Sequence, residues 1–304
     1  MTPFAIAGMQ LNLSAVHDNM AYLRARLDLL MHVYPWVEMV LFSELAAFGP
    51  SIKRAQRLPG PAEEEFCEMA ARHGIWLLPG SLFERTDHGI YNTATVINPY
   101  GHVVGRHRKL FPFRPYEEGV EAGEEFLVFD VPEVGRFGVS ICYDMWFPET
   151  SRMLAALGAE VILHPSLTGT IDRDVELSIA RATAAQNQCF FFDINGAGDG
   201  GNGRSIIVGP YGDVLYEAGH PEEMIPIEID VDRVRRSRQV GLRGLGQPLK
   251  SFRDRKVQFP VYGEHLEARR FLEGLGPLVK PRRRALTAAE KVEHAPAWRS
   301  EEPA

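Results

Sequence analysis

Cysteine is scarce in this chain, with three among 304 residues. So few, and an odd number, build no disulfide framework, which excludes a small stapled secreted domain. Long hydrophobic runs are missing as well. No apolar stretch approaches the roughly 18 residues that a bilayer-spanning helix requires, so no membrane helix is predicted. The N-terminus, Met1-Thr2-Pro3-Phe4-Ala5-Ile6-Ala7, has no basic segment before its apolar residues and passes straight into a strand-like run, so no signal peptide is expected. Together these absences predict a cytoplasmic protein with no membrane partner. Excess positive charge is also absent. A formal charge of −7 leaves no basic field to gather phosphates, which argues against a nucleic-acid partner. The clusters Arg233-Val234-Arg235-Arg236-Ser237-Arg238 and Arg282-Arg283-Arg284 read as solvated helix and tail faces. The ten histidines contain no His-x-x-x-His or similar metal-ligand spacing, so no metal is expected.

What is present is a globular composition, 45% hydrophobic and 24% charged, enough to bury a large core in one or two domains. Short β-rich runs alternate with amphipathic stretches to about residue 240. Phe4–Gln10 reads as a strand, and Asn19–Val33 as a helix with Leu23, Leu27, Leu30 and Met31 on one face. Val37–Phe42 is the next strand. Ala62–His73 is a helix with Pro61 at its start and Gly74 past its end, and Ile75–Leu78 follows as a strand. The second half repeats the plan: helix Pro148–Leu157 stopped at Gly158, strand Val161–Leu163, helix Asp174–Gln188, strand Cys189–Ile194. This alternation predicts an α/β fold with helices covering sheets. Asn98-Pro99-Tyr100-Gly101 and Gly209-Pro210-Tyr211-Gly212 sit in matching β-hairpins, each with Pro presetting the turn and Gly closing a bulge. A hairpin recurring in both halves predicts two similar layers packed face to face.

Cys142 is the most chemically suggestive residue. It ends the apolar run Phe137-Gly138-Val139-Ser140-Ile141, and a tight polar turn separates it from Pro148-Glu149 at a helix start. A thiol at a strand end is placed for attack rather than packing. Cys67, on a helix, and Cys189, starting an apolar strand, lack such neighbours and read as packing residues. Glu44 terminates the strand Val40-Leu41-Phe42-Ser43, where partial burial would raise its pKa and make it a proton acceptor. Lys109 lies between a predicted strand and a Pro-aromatic turn, and Glu117 is a loop carboxylate eight residues on. Gly196-Ala197-Gly198-Asp199-Gly200-Gly201 fits a dinucleotide pattern, but a strand rather than a helix follows it, so no pyrophosphate site is expected. It reads instead as a flexible loop bordering the active site.

Phe42-Ser43-Glu44, His107-Arg108-Lys109-Leu110 and Cys142-Tyr143-Asp144 with Phe147-Pro148-Glu149 occur in the order found in the carbon–nitrogen hydrolase (nitrilase) superfamily, which this chain resembles from residue 4 to about 230. The resemblance implies a four-layer α-β-β-α sandwich. Past the hydrolase domain, residues 1–260, alternation is lost and the chain is polar and Ala-, Glu- and Pro-rich, so residues 261–304 read as a C-terminal extension, an arm expected to cross to a neighbouring subunit with a mobile end. The resemblance further implies a Glu–Lys–Cys triad, with Glu44 as general base, Lys109 stabilising the oxyanion and Cys142 as nucleophile. Glu117 matches a fourth polar site residue, although adjacent Glu118 leaves that choice open. Ser43 stands where the family usually has Pro.

This constellation is chemically coherent. A free thiol titrates near 8.5, a neighbouring ammonium favours thiolate, and Glu44 can take the proton. Lys109 and the Tyr143 N–H would face the tetrahedral oxyanion, and a thioester acyl-enzyme would then be hydrolysed. No cofactor is needed. Tyr143-Asp144 resembles the amidase and carbamoylase branches, whereas true nitrilases have Trp after the Cys. Carbamoyl amino acid hydrolases place Arg where this chain has Met145 and Trp146. The expected substrate is therefore a small amide whose remote end is neutral, aliphatic or cationic, bound by Tyr143, Met145, Trp146 and His164. Alternatives are an N-carbamoyl amine hydrolase, a nitrilase, or a catalytically silent metabolite-binding protein of the same fold. The resemblance also implies a homodimer or larger homo-oligomer, joined through the helix Pro148–Leu157 and the tail after Pro260.

Overall fold

A computed structural model describes residues 1–263 and 266–279. Arg282–Arg284 and Leu286–Ala304, and with them most of the expected arm, lie outside the described residues. The chain divides into two units, residues 1–113 with 117–258, and Arg114–Tyr116 with the chain from Phe259 onward. The second unit contains a short 3₁₀ turn, Pro260–Tyr262, and a helix, Leu266–Glu273. The sheets belong to the first.

Its strands in chain order are β1 Pro3–Gln10, β2 Asn12–Leu13, β3 Met39–Phe42, β4 Trp76–Leu78, β5 Leu82–Arg85, β6 Ile90–Ile97, β7 Val103–Arg108 and β8 Val120–Glu121. They continue as β9 Leu127–Val131, β10 Gly135–Val139, β11 Val161–Ser166, β12 Phe190–Asn195, β13 Ala197–Gly198, β14 Ile206–Val208, β15 Val214–Glu217 and β16 Glu223–Asp230. The helices are α1 Met20–Val33, α2 Pro61–His73, α3 Pro148–Ala156, α4 Arg173–Asn187, α5 Asp232–Val240 and α6 Pro248–Arg253. One sheet runs β16-β1-β3-β4-β6-β5, with β7 and β8 also on β6. The other runs β15-β14-β12-β11-β10-β9. Each contains three adjacent parallel strands, β1-β3-β4 and β10-β11-β12, flanked by antiparallel neighbours.

The alternation of side chains along a strand dictates the layers. Phe4, Ile6 and Leu41 from one sheet meet Phe137, Leu163, Phe190 and Phe192 from the other in a shared core. The opposite face of the first sheet, with Met9, Val40 and Phe42, packs on Leu23, Leu27 and Leu30 of α1 and Phe66 of α2. Ile162 and Phe191 on the far face of the second sheet pack on Leu154 of α3 and Leu177 and Ala180 of α4. The result is a four-layer α-β-β-α sandwich, as expected. The twin hairpins β6–β7 and β14–β15 each carry a bulge, with Gly101 and Gly212 at φ of 77° and 74°.

Asn19 caps the start of α1: its carbonyl accepts from the Leu23 N–H at 2.8 Å, while its side chain bonds to Ser14 and the Ala46 carbonyl. One sequence reading is corrected in part. The basic cluster of α5 is a solvated face at the exposed Arg235 and Arg236, but its arginines are also engaged. Arg233 pairs with Asp213, Arg235 with Glu160, and Arg238 donates to the Gln188 and Ala159 carbonyls, tethering the helix to the second sheet.

Candidate active site

The carboxyl ends of parallel strands are where an open α/β sheet leaves space for a ligand, and both parallel triplets place their polar residues there. β3 runs into Glu44, whose backbone N–H donates 3.2 Å to the carbonyl of Ser166 at the end of β11. That bond joins the two sheets where the site lies. β10 leads through Ser140 and Ile141 into Cys142, the first residue of a 3₁₀ turn, Cys142–Trp146. Leu45 and Cys142 both lie in the left-handed region, at φ of 51° and 45°. Such strained conformations in non-glycine residues gather at functional sites.

Asp144 fixes the cysteine turn. Fully buried, it accepts from the Ile141 N–H at 3.0 Å and the Phe111 N–H at 2.9 Å, tying the turn to the segment just after Lys109. Its carboxylate also lies 3.3 Å from Nε2 of buried His107, two residues before Lys109.

Lys109 is only 1% exposed, and its ammonium donates to Glu44 Oε1 at 2.9 Å and Glu117 Oε2 at 2.8 Å. Glu117, not Glu118, therefore joins the cluster. Asn92, on β6, bridges the same two carboxylates, donating to Glu44 Oε1 at 2.8 Å and Glu117 Oε1 at 3.3 Å. Glu44 and Lys109 are also the charged groups that act most strongly on the Cys142 thiol.

Burial raises the Glu44 pKa, with Lys109 partly opposing. Burial alone would lower the Lys109 pKa, but Glu44, Cys142 and Glu117 outweigh it and hold the ammonium well above its ordinary value. For Cys142, burial and then the neighbouring Glu44 raise the thiol pKa well above normal, and Lys109 only partly counters them. Lys109 thus favours the thiolate, as expected, but two carboxylates already share that ammonium, so burial and Glu44 outweigh it.

Cys142 opens into a small cavity of about 70 Å³, whose walls include Tyr143, Trp146, Thr168, Asp172 and Glu176. Two residues expected here lie elsewhere. Met145 is 1% exposed and packs in the core beneath α3 and α4, because the 3₁₀ turn directs it away from the cavity. His164 is fully buried on β11, with Nδ1 2.7 Å from Ser140 Oγ, and is not among the cavity's lining residues. The glycine-rich segment is close-packed: a Cβ on Gly196 would fall 2.3 Å from the Gly200 carbonyl, and one on Gly201 2.6 Å from the Gly196 carbonyl. Its glycines allow backbone to meet backbone, which replaces the flexible-loop reading. Cys67 is half-buried on α2, and Cys189 is buried under α4, where burial pushes its thiol up to about 12.

Sequence reading missed Asn92, Thr168 and Glu176. A polar Tyr-Asn-Thr triplet inside an apolar strand is a signal for Asn92, since Asn is depleted in strands. Glu176 lies on the buried stripe of α4 with Leu177, Ala180 and Ala184, and an acidic residue at that phase is likewise detectable. Among the described residues, no group of three His, Cys, Asp or Glu could hold a metal, and no helix is long and apolar enough to cross a membrane.

Comparison with known proteins agrees with this geometry. An omega-amidase NIT2-B from Xenopus laevis is 31% identical over 195 residues, covering 58% of this chain and 69% of the relative. Human omega-amidase NIT2 is 29% identical over 203 residues, covering 61% and 72%. Among solved structures, Saccharomyces cerevisiae Nit3, a member of branch 10 of the nitrilase superfamily, superposes with a TM-score of 0.71 at 28% identity, covering 78% of this chain and 94% of the other. An amidase from Nesterenkonia sp. shares the fold, at a TM-score of 0.69 and 23% identity, covering 76% and 92%. The family model described as carbon-nitrogen hydrolase matches residues 9–239, so the chain belongs to the carbon–nitrogen hydrolase family of the nitrilase superfamily.

Proposed function

We propose that the protein is a cysteine-dependent amidohydrolase that releases ammonia from a small carboxamide, with Glu44, Lys109 and Cys142 as its triad. The observation that carries this reading is the buried cluster itself: a thiol whose nearest charged neighbours are a buried carboxylate and the ammonium that touches it. Amidase and omega-amidase relatives support the substrate class.

The steps follow from the charges. As Cys142 Sγ bonds to the amide carbon, its proton passes to Glu44 and the carbonyl electron pair moves onto oxygen. The fixed Lys109 ammonium and the Tyr143 N–H stabilise that oxygen in a water-poor corner. The C–N bond then breaks, Glu44 returns the proton to nitrogen, and ammonia leaves a thioester. Water deprotonated by Glu44 attacks the thioester; collapse releases the acid and restores the thiol. Glu117 and Asn92 hold Glu44 and Lys109 in register throughout.

Cys142→Ala should retain the fold and lose turnover. Appreciable ammonia release by that variant would remove Cys142 from the nucleophile role. A carbamoylated amine suits the same steps, and carbon dioxide appearing with ammonia would identify that alternative. We also infer a homodimer or larger assembly through α3 and the chain after Pro260. Light scattering should then give at least twice the 34.1 kDa chain mass, and a monomer mass would contradict it.

A further inference from the structure

Glu176 shares the cavity of Cys142, yet the triad chemistry does not use it. It is 3% exposed. Its Oε1 accepts from Thr168 Oγ1 at 3.0 Å and faces Trp146 Nε1 at 3.5 Å, while Oε2 accepts from Arg173 at 3.1 Å. Arg173 does not cancel this charge alone. The same Nη1 also donates to buried Asp193 at 2.8 Å, and its remaining donors go to the Arg204 carbonyl at 3.2 and 2.8 Å. Two carboxylates thus share one guanidinium, and burial with the neighbouring Asp193 holds the Glu176 pKa above its ordinary value, so a cation brought beside it would be drawn to a carboxylate that Arg173 offsets only in part. Asp172 adds a second acidic residue to the lining, and no lysine, arginine or histidine is among the described residues that line the cavity. Lys109, behind Cys142, is already shared by Glu44 and Glu117.

We propose, building on the amidase reading, that Glu176 is a specificity-determining residue that selects short amides carrying an ammonium at the end remote from the scissile bond and disfavours those ending in a carboxylate. An ammonium there would find an acceptor already desolvated and oriented by Thr168 and Trp146. A carboxylate would enter an acid-lined cavity and meet no cation in its lining, which costs far more in a buried site than in water. The cavity volume limits the linking chain to a few carbons.

The test uses the intact protein and compares kcat/KM for three amides. 3-Aminopropanamide and butanamide have the same number of heavy atoms and differ at the remote end only in ammonium against methyl; succinamate carries a carboxylate. The expected order is 3-aminopropanamide above butanamide by at least about tenfold, as one charge-assisted contact implies, with succinamate last. In Glu176→Gln the ratio of the first two should fall toward one, mainly through KM. A ratio is independent of how much of the variant folds, and the wild-type order stands as a test without any variant. Succinamate turned over as well as 3-aminopropanamide, or a wild-type ratio near one, would overturn the inference alone. No ammonia from any of the three would overturn the amidase reading and this inference with it.

Discussion

Lys109 has two electrostatic duties, which makes its removal informative. Its ammonium lies between Glu44 and Glu117 at 2.9 and 2.8 Å, so it holds two buried acids in place as well as facing the expected oxyanion. Lys109→Ala should therefore lower kcat by at least the roughly 10²–10³-fold typical of losing one oxyanion donor. It should also destabilise the protein, since two carboxylates would remain buried without their cation. Steady-state kinetics on protein whose folded state is verified by circular dichroism would check this, and a near-normal kcat would exclude the assigned role. The triad was legible because Glu44 and Cys142 end apolar runs and all three residues lie in short motifs that resemble the family's. Asn92 was missed because its part depends on a sheet register that sets β6 between β4 and β7 and lets its side chain reach Glu44 beyond β3.

At the scale of elements, the site depends on how strand ends are packed from behind. Gly80 follows β4 at φ of 75°, and a Cβ there would lie 1.8 Å from the Ser43 carbonyl, immediately before Glu44. Gly80→Ala should displace the turn that carries the base. We expect a loss of stability of at least about 2 kcal/mol from the strained backbone and the clash, together with reduced activity. Urea unfolding measures the first, and an unchanged midpoint would contradict the argument. Helix and strand spans were read to within a few residues from periodicity, capping and the Pro and Gly positions. The phase of side chains in the 3₁₀ turn was not, so Met145 was assigned to a cavity that Cys142, Tyr143 and Trp146 of that turn line and Met145 does not.

The protein as a whole responds to acid through groups buried in their neutral form. Burial lowers the pKa of His164 from 6.5 to about 4. Below pH 6.5 the unfolded chain binds a proton that the folded chain refuses, so stability is fully present above that value and lost as pH falls from 6.5 to about 4. The shift corresponds to about 3 kcal/mol across that window. His164→Asn, which keeps a polar group for Ser140, should flatten the slope between pH 7 and 4.5 in urea titrations, and an unaltered slope would contradict the assignment.

The order of apolar runs and turn residues determined the α/β class and the two facing layers, because those properties are written in local pattern, while the four-layer sandwich and the expected acid, cation and thiol came from the resemblance of three motifs to a family. The raised pKa of the thiol, the contact of Glu117 rather than Glu118 with Lys109, the Asn92 bridge and the acidic far wall at Glu176 were decided only by tertiary structure. Each depends on how much water burial removes and on which charges from distant segments are brought within about 3 Å. Neither quantity exists until the two sheets have closed on one another.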